Sequence, residues 1–154
     1  MDRKAAAQRS PMILPDINLL VFALDRHSPH HASSAAWWNT CLAASTPVCI
    51  PWLVILGVVR ILGNPKIYQR PTPPESVLDQ IEKWLALPHI HLVDPAPAHL
   101  ATLRKLLKLT GVAGSLSSDA HLAAIAIDKG ITVYSNDTDF SRFPGLSWTN
   151  PLAT

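Results

Sequence analysis

The stretch Gly130-Ile-Thr-Val-Tyr-Ser-Asn-Asp-Thr-Asp-Phe140 places two carboxylates directly after a short apolar run. The run predicts a buried strand over 131–135, so Asp137 and Asp139 are expected just beyond its carboxyl end. Carboxylates at such a position are costly unless water, hydrogen bonds or a cation satisfy them. The segment therefore indicates an acidic site at the end of a strand.

Two further aspartates stand at the edges of predicted apolar elements. Asp16 follows Met12-Ile-Leu-Pro15, and Asp119 opens the helical pattern Asp-Ala-His-Leu-Ala-Ala-Ile-Ala-Ile. Together with Asp137 they form the skeleton of a site for a metal ion held by oxygen ligands. Simpler roles stay open, since Asp119 could cap its helix and Asp137 could shape a turn.

Apolar periodicity along the rest of the chain predicts strands that alternate with helices. The predicted strands are 12–14, 48–50, 89–93, 131–135 and 146–148, and the predicted helices are 17–24, 30–42, 53–62, 75–87, 98–109 and 119–130, with a loop over 111–118. This alternation predicts an α/β sandwich whose central sheet is mainly parallel and has four to five strands.

Composition narrows the class of protein. The chain has 154 residues, 48% of them hydrophobic and 16% charged, which fits one folded domain and excludes a disordered chain. We expect this domain to span 12–154, with 1–11 as an N-terminal extension, because Met12 could be an alternative start. A net charge of +2 tolerates a nucleic-acid partner without arguing for one.

The cysteines and the apolar runs bear on the compartment. Cys41 and Cys49 are the only cysteines, which provides neither a disulfide framework nor a Cys-x-x-Cys zinc pair and favours reduced thiols in the cytoplasm. The longest apolar run, 50–59, is too short to cross a bilayer.

Three short motifs in this order resemble the acidic motifs of PIN-domain ribonucleases, and most nearly those of VapC toxins of type II toxin–antitoxin systems. The motifs are Pro15-Asp-Ile-Asn-Leu-Leu20, Ser118-Asp-Ala-His-Leu-Ala-Ala124 and Ser135-Asn-Asp-Thr-Asp-Phe140. Each is short, but the resemblance covers 12–152. It implies a PIN-like α/β/α fold and an endoribonuclease, dependent on Mg²⁺ or Mn²⁺, that cleaves structured cellular RNA such as tRNA or rRNA.

The resemblance also implies roles for individual residues and for partners. It makes Asp16, Asp119 and Asp137 the metal ligands, with Asp139 as a supporting catalytic acid. Asn18 and Arg60 have supporting roles. Asn18 is expected to hydrogen-bond within the cluster, and Arg60 is expected to order the acidic side chains or to contact phosphate. The implied assembly is a homodimer, silenced by a cognate antitoxin that places a basic side chain near the aspartates.

One position departs from the family's pattern. Many PIN domains carry a Glu three residues before the Arg of this helix, and here that position is Gly57. We expect the remaining acids to suffice for catalysis and Gly57→Glu to tighten metal binding. Two alternatives stay open, a PIN-like module that binds RNA or a partner without cleaving, and a metal-dependent phosphatase or DNA nuclease.

His121 is expected to stay apart from the acidic site. It lies two residues after Asp119, which is roughly 200° around a helix, so the two side chains should not share a face.

Overall fold

The computed structural model describes residues 12–111 and 116–153. The strands in these ranges are β1 Ile13–Pro15, β2 Val48–Pro51, β3 Ile90–Val93, β4 Thr132–Tyr134 and β5 Trp148–Thr149. They form one sheet in the order β3-β2-β1-β4-β5, and every pair of neighbouring strands is parallel.

Six α-helices of the described ranges flank the sheet, and a short 3₁₀ helix follows β4. The α-helices are α1 Ile17–Leu24, α2 His31–Ala43, α3 Trp52–Leu62, α4 Pro74–Leu85, α5 His99–Thr110 and α6 Ser117–Lys129, and the 3₁₀ helix is Thr138–Arg142. None of the helices in the described ranges is long and apolar enough to cross a membrane.

The predicted α/β sandwich with a parallel sheet is confirmed, and the element boundaries agree to within two residues. The helix expected to open at Asp119 begins at Ser117, so the predicted loop over 111–118 ends sooner than expected. The expected N-terminal extension, 1–11, and the middle of that loop, 112–115, lie outside the described residues.

The hydrophobic core lies where the helices cover the sheet. The central strand β1 is buried along its whole length, as expected for a parallel sheet covered on both faces. Helix α6 presents small side chains to the core, and Ala120, Ala123 and Ala124 are completely buried. On the other helices, Trp38 of α2 packs edge-to-face on Trp84 of α4, with ring centroids 5.1 Å apart.

The strand order fixes where a ligand can bind. From the central β1 the chain adds β2 and β3 on one side, and it then returns to place β4 and β5 on the other. The direction of winding therefore changes between β1 and β4, and open parallel sheets bind ligands at such a point, outside the carboxyl ends of the strands. Asp16 follows β1 here, and its backbone N–H donates to the carbonyl of Tyr134 at the end of β4 (2.9 Å).

Candidate active site

Three of the predicted aspartates converge at this edge of the sheet. One carboxylate oxygen from each of Asp119, Asp137 and Asp139 lies within 4.8 Å of the other two. Asp119 comes from the first turn of α6, Asp137 caps the 3₁₀ helix after β4, and Asp139 lies in that helix's first turn. The parallel sheet thus brings together acids that are 18 and 20 positions apart in the chain.

Asp16 lies beside this group and is held by two hydrogen bonds. It is only 6% exposed. Its Oδ1 accepts from the backbone N–H of Ile17 at 2.8 Å, which caps α1, and its Oδ2 accepts from Ser135 Oγ at 2.7 Å. The structure therefore places Asp139 inside the closest acidic group, where a supporting position was expected, and Asp16 next to it.

The four carboxylates act on one another electrostatically. Burial, followed by the charges of Asp16, Asp137 and Asp139, raises the pKa of Asp119 to about 6. Burial also raises the pKa of Asp16, with the nearby charge of Asp137 adding to the effect, while the hydrogen bonds from Ser135 and Ile17 oppose it. A bound cation would relieve this repulsion and lower the pKa of both carboxyls.

Ser135 connects the acidic residues, and sequence reasoning did not single it out. It is fully buried, and while its Oγ donates to Asp16 it accepts from the backbone N–H of Asp137 at 3.0 Å and from Asn18 Nδ2 at 3.3 Å. Asn18 thus reaches the cluster through Ser135 and not through an aspartate, and its supporting role in the site stays a prediction. The sequence signal for Ser135 is a local one, since a serine two residues before an aspartate is a common turn pattern.

The donor chemistry of the site fits Mg²⁺ or Mn²⁺. All the converging side-chain atoms are oxygens, which these hard cations prefer. The buried Oδ1 of Asn18 has no hydrogen-bond partner among the described residues, so an acceptor is left for a water at the site. The N-cap of α6 is Leu116, whose side chain makes no capping hydrogen bond, and Asp119 lies inside the first turn, so the simpler interpretation of Asp119 as the helix cap is wrong.

Asp137 combines a turn-forming role with its place in the cluster. Its Oδ1 accepts from the backbone N–H of Asp139 at 2.9 Å and so starts the 3₁₀ helix. The simpler reading of Asp137 as a turn residue is thus correct as well. Asp139 also forms an ion pair that was not expected, with Arg142 Nε 3.5 Å from its Oδ1. Both partners of that pair are well exposed, which makes it weak.

The space beside Gly57 is occupied by a side chain from the first acidic motif. A Cβ at position 57 would meet the side chain of Ile17, with Cγ1 at 2.8 Å, Cγ2 at 3.2 Å and Cδ1 closer still. Gly57→Glu would therefore require the Ile17 side chain to shift, a cost that the expectation of tighter metal binding does not include.

Arg60 and His121 do not join the acidic group. Arg60 is exposed in the last turn of α3 and has no ion pair with another described residue, so its expected ordering of the acids is not observed, and its contact with phosphate stays a prediction. The Nδ1 atom of His121 lies 2.8 Å from His99 Nε2, which agrees with the expectation that His121 and Asp119 do not share a face.

The sequence matches known proteins over most of its length. The PIN domain family model matches residues 13–146. Ribonuclease VapC33 of Mycobacterium tuberculosis (strain CDC 1551 / Oshkosh) is 35% identical over 141 residues, which cover 92% of this chain and 99% of that protein. Ribonuclease VapC37 of strain H37Rv is 35% identical over 142 residues, with the same coverage.

Solved structures share the fold. A VapBC2 complex from Rickettsia felis, bound to a DNA fragment from its promoter, contains a chain that matches with a TM-score of 0.64 and 20% identity, covering 90% of this chain and 98% of that one. The acidic edge built by Asp16, Asp119, Asp137 and Asp139 and the extent of these matches agree: the chain belongs to the PIN-domain family and, within it, to the VapC ribonucleases.

Proposed function

We propose that this protein is an endoribonuclease that uses Mg²⁺ or Mn²⁺ and acts as the toxin of a type II toxin–antitoxin pair. The observation that carries the metal dependence is the convergence of Asp119, Asp137 and Asp139 within 4.8 Å beside the buried Asp16. The raised pKa of Asp119 supports it, since that carboxyl is poorly stabilised as an anion without a cation.

The residues of the site have separate roles in this proposal. Asp119 and Asp137 hold the metal, Asp139 joins them directly or through a water, and Asp16 adds its negative charge from the N-cap position of α1. Ser135 keeps Asp16 in place, and Asn18 offers its free Oδ1 to a water. When bound, the metal supplies an activated water and offsets charge on the scissile phosphate.

The proposed partners follow from the relatives and from the surface. VapBC complexes pair a toxin with an antitoxin, and we propose a cognate antitoxin here that places a basic side chain against the aspartates. We also propose that the domain over 12–154 forms a homodimer in the cytoplasm. Apolar side chains on the outside of α3 support the dimer, because Trp52 is 51% exposed and Leu56 is 60% exposed.

The proposed substrate is structured cellular RNA of the tRNA or rRNA class. The test is incubation of antitoxin-free protein with a panel of tRNA, rRNA fragments, DNA and a phosphomonoester, with Mg²⁺ or Mn²⁺ and then with EDTA. RNA cleavage that EDTA abolishes supports the proposal. RNA binding without cleavage would support a non-catalytic module, and release of phosphate or cleavage of DNA would support a different hydrolase.

A further inference from the structure

The exposed face of α5 carries three basic side chains, and no acidic residue occurs in this helix. Arg104, Lys105 and Lys108 are all exposed, and none of them forms an ion pair with another residue of the described ranges. Arg104 and Lys108 are four positions apart, so they lie on the same side of the helix, about 6 Å apart along its axis. The face is therefore a short stripe of uncompensated positive charge.

Apolar surface lies between these charges. Arg104, Lys105 and Lys108 line a groove of about 530 Å³ together with Leu100 and Ala101. Leu100 is 68% exposed there, so its side chain does not pack in the core. A groove that offers cations and apolar contact side by side suits a nucleic-acid strand, whose backbone is anionic and whose bases have apolar faces.

Helix α5 starts at the edge of the sheet where the acidic site lies. The parallel strand β3 ends at the same edge of the sheet as β1 and β4, and α5 starts at His99 after the connection 94–98. His99 Nε2 lies 2.8 Å from Nδ1 of His121, so the start of α5 packs on α6, the helix that carries Asp119 on another face. From this contact the basic residues extend along α5, away from the aspartates.

The acidic site by itself repels its proposed substrate. Without a bound metal, four neighbouring carboxylates would repel an RNA phosphate, and the nearby cation Arg142 lies 3.5 Å from Asp139 Oδ1. Attraction for the RNA backbone must therefore come from outside the cluster. We infer that the exposed face of α5, formed by Leu100, Arg104, Lys105 and Lys108, binds the phosphate backbone of the RNA substrate and leads the strand to the acidic site. This inference deepens the proposed function and rests on it.

The test compares two triple variants that lose the same charge. One is Arg104→Gln/Lys105→Gln/Lys108→Gln, and its control is Lys66→Gln/Arg70→Gln/Lys83→Gln, in which three exposed basic residues outside α5 are changed. Because all six positions are exposed, both variants should fold, which circular dichroism and thermal unfolding would verify. Binding of a fluorescein-labelled RNA hairpin is measured by anisotropy in EDTA over a range of salt concentrations.

The α5 variant should bind RNA about tenfold or more weakly than the unsubstituted protein, and its salt slope should fall by about 2, since each lost phosphate contact removes roughly 0.7 for single-stranded segments. The control variant should keep most of the affinity. Equal losses in both variants, unchanged binding in the α5 variant, or no RNA binding by the unsubstituted protein would overturn the inference.

Cleavage is measured separately with Mn²⁺, so that the two proposals can fail independently. Loss of binding confined to the α5 variant, in a protein that never cleaves RNA, would sustain the binding face and refute the proposed function. Metal-dependent cleavage with the same KM for RNA in the unsubstituted protein and the α5 variant would support the proposed function and refute the binding face. If both hold, the α5 variant should show a higher KM and an unchanged kcat.

Discussion

Ile17 occupies the space in front of Gly57, so that a Cβ at position 57 would lie 2.8 Å from Ile17 Cγ1. Ile17 directly follows the buried Asp16 and opens α1, while Gly57 lies in the middle of α3. The two residues therefore form a complementary pair in which the smallest side chain on one helix admits a large one from the other. Any side chain at position 57 therefore requires the Ile17 side chain to shift.

The first prediction concerns this pair. Gly57→Glu alone should lower the free energy of unfolding by about 1–3 kcal/mol through overpacking, and it should not tighten metal binding. In Ile17→Ala/Gly57→Glu the space is freed, so the added carboxylate should bind Mn²⁺ more tightly than in the unsubstituted protein. Calorimetric titration with Mn²⁺ and urea unfolding measure the two quantities.

Ile17→Ala alone serves as the control for this experiment, because it empties the space without adding a carboxylate. Tighter Mn²⁺ binding by Gly57→Glu alone, at unchanged stability, would show that Ile17 moves aside freely and would contradict the packing argument.

The second prediction concerns Ser135. Ser135→Ala removes the hydroxyl that donates to the buried Asp16, and leaving that acceptor without its partner should cost about 1–2 kcal/mol of stability. The lost hydrogen bond should raise the pKa of Asp16 further, since the bond now lowers it. The acid limb of the pH–rate profile for RNA cleavage should therefore move to higher pH.

The control for Ser135→Ala is Ser141→Ala, which removes an exposed hydroxyl bonded to the carbonyl of Thr138. Identical stability and identical pH–rate profiles for the two variants would mean that Ser135 does not hold Asp16 in place.

The third prediction uses the raised pKa of Asp119. Its folded-state pKa of about 6 lies above the ordinary value of 3.8. Between these values the folded protein binds more protons than the unfolded chain, so metal-free stability falls as pH rises and the loss is complete above about pH 6. Asp119→Asn removes this term. In EDTA at pH 7.5 the variant should be more stable by about 1 kcal/mol, after discounting for the partial exposure of Asp119.

This stabilisation should shrink as the pH is lowered towards 4, because residue 119 is then uncharged in the folded state of both the variant and the unsubstituted protein. Urea unfolding at pH 4.5 and at pH 7.5 provides the comparison, with Asp94→Asn as a control on an exposed loop carboxylate. A difference between Asp119→Asn and the unsubstituted protein that does not vary with pH would contradict the electrostatic explanation.

The sequence was sufficient for the fold and for most of the acidic residues, because these depend on local signals. Short apolar runs ending at Asp16 and at Asp137 marked the strand ends, and a parallel sheet necessarily brings such ends to one edge. The Ala-rich pattern after Asp119 identified α6. None of these inferences required knowledge of a distant contact.

The residues that sequence reasoning missed depend on contacts between distant parts of the chain. Ser135 and Asp16 are 119 positions apart in the chain, and Ile17 of α1 packs against Gly57 of α3. The position of Asp139 inside the closest acidic group depends on the 3₁₀ turn that begins at Asp137. Spacing in the sequence does not determine how tightly such a turn closes, so Asp139 could not be distinguished from a supporting residue.

The fourth prediction concerns assembly. Trp52 and Leu56 are four positions apart on the outside of α3, where they form an exposed apolar surface on the folded domain. Trp52→Glu/Leu56→Arg should convert the proposed homodimer to a monomer without unfolding it, because neither side chain contributes to the core. Light scattering at high protein concentration measures the mass. A monomer before substitution would contradict the dimer.

The central claim is that the aspartate cluster holds the metal that drives RNA cleavage. Its most direct test is a Mn²⁺ titration of the unsubstituted protein, Asp16→Asn, Asp119→Asn and Asp137→Asn, with calorimetric binding and RNA cleavage followed on the same samples. We predict that the unsubstituted protein binds Mn²⁺ and cleaves RNA in parallel, and that each variant stays folded but falls to background cleavage, with weakened Mn²⁺ binding in Asp119→Asn and Asp137→Asn. Full cleavage by Asp119→Asn, or cleavage by the unsubstituted protein in excess EDTA, would contradict the claim.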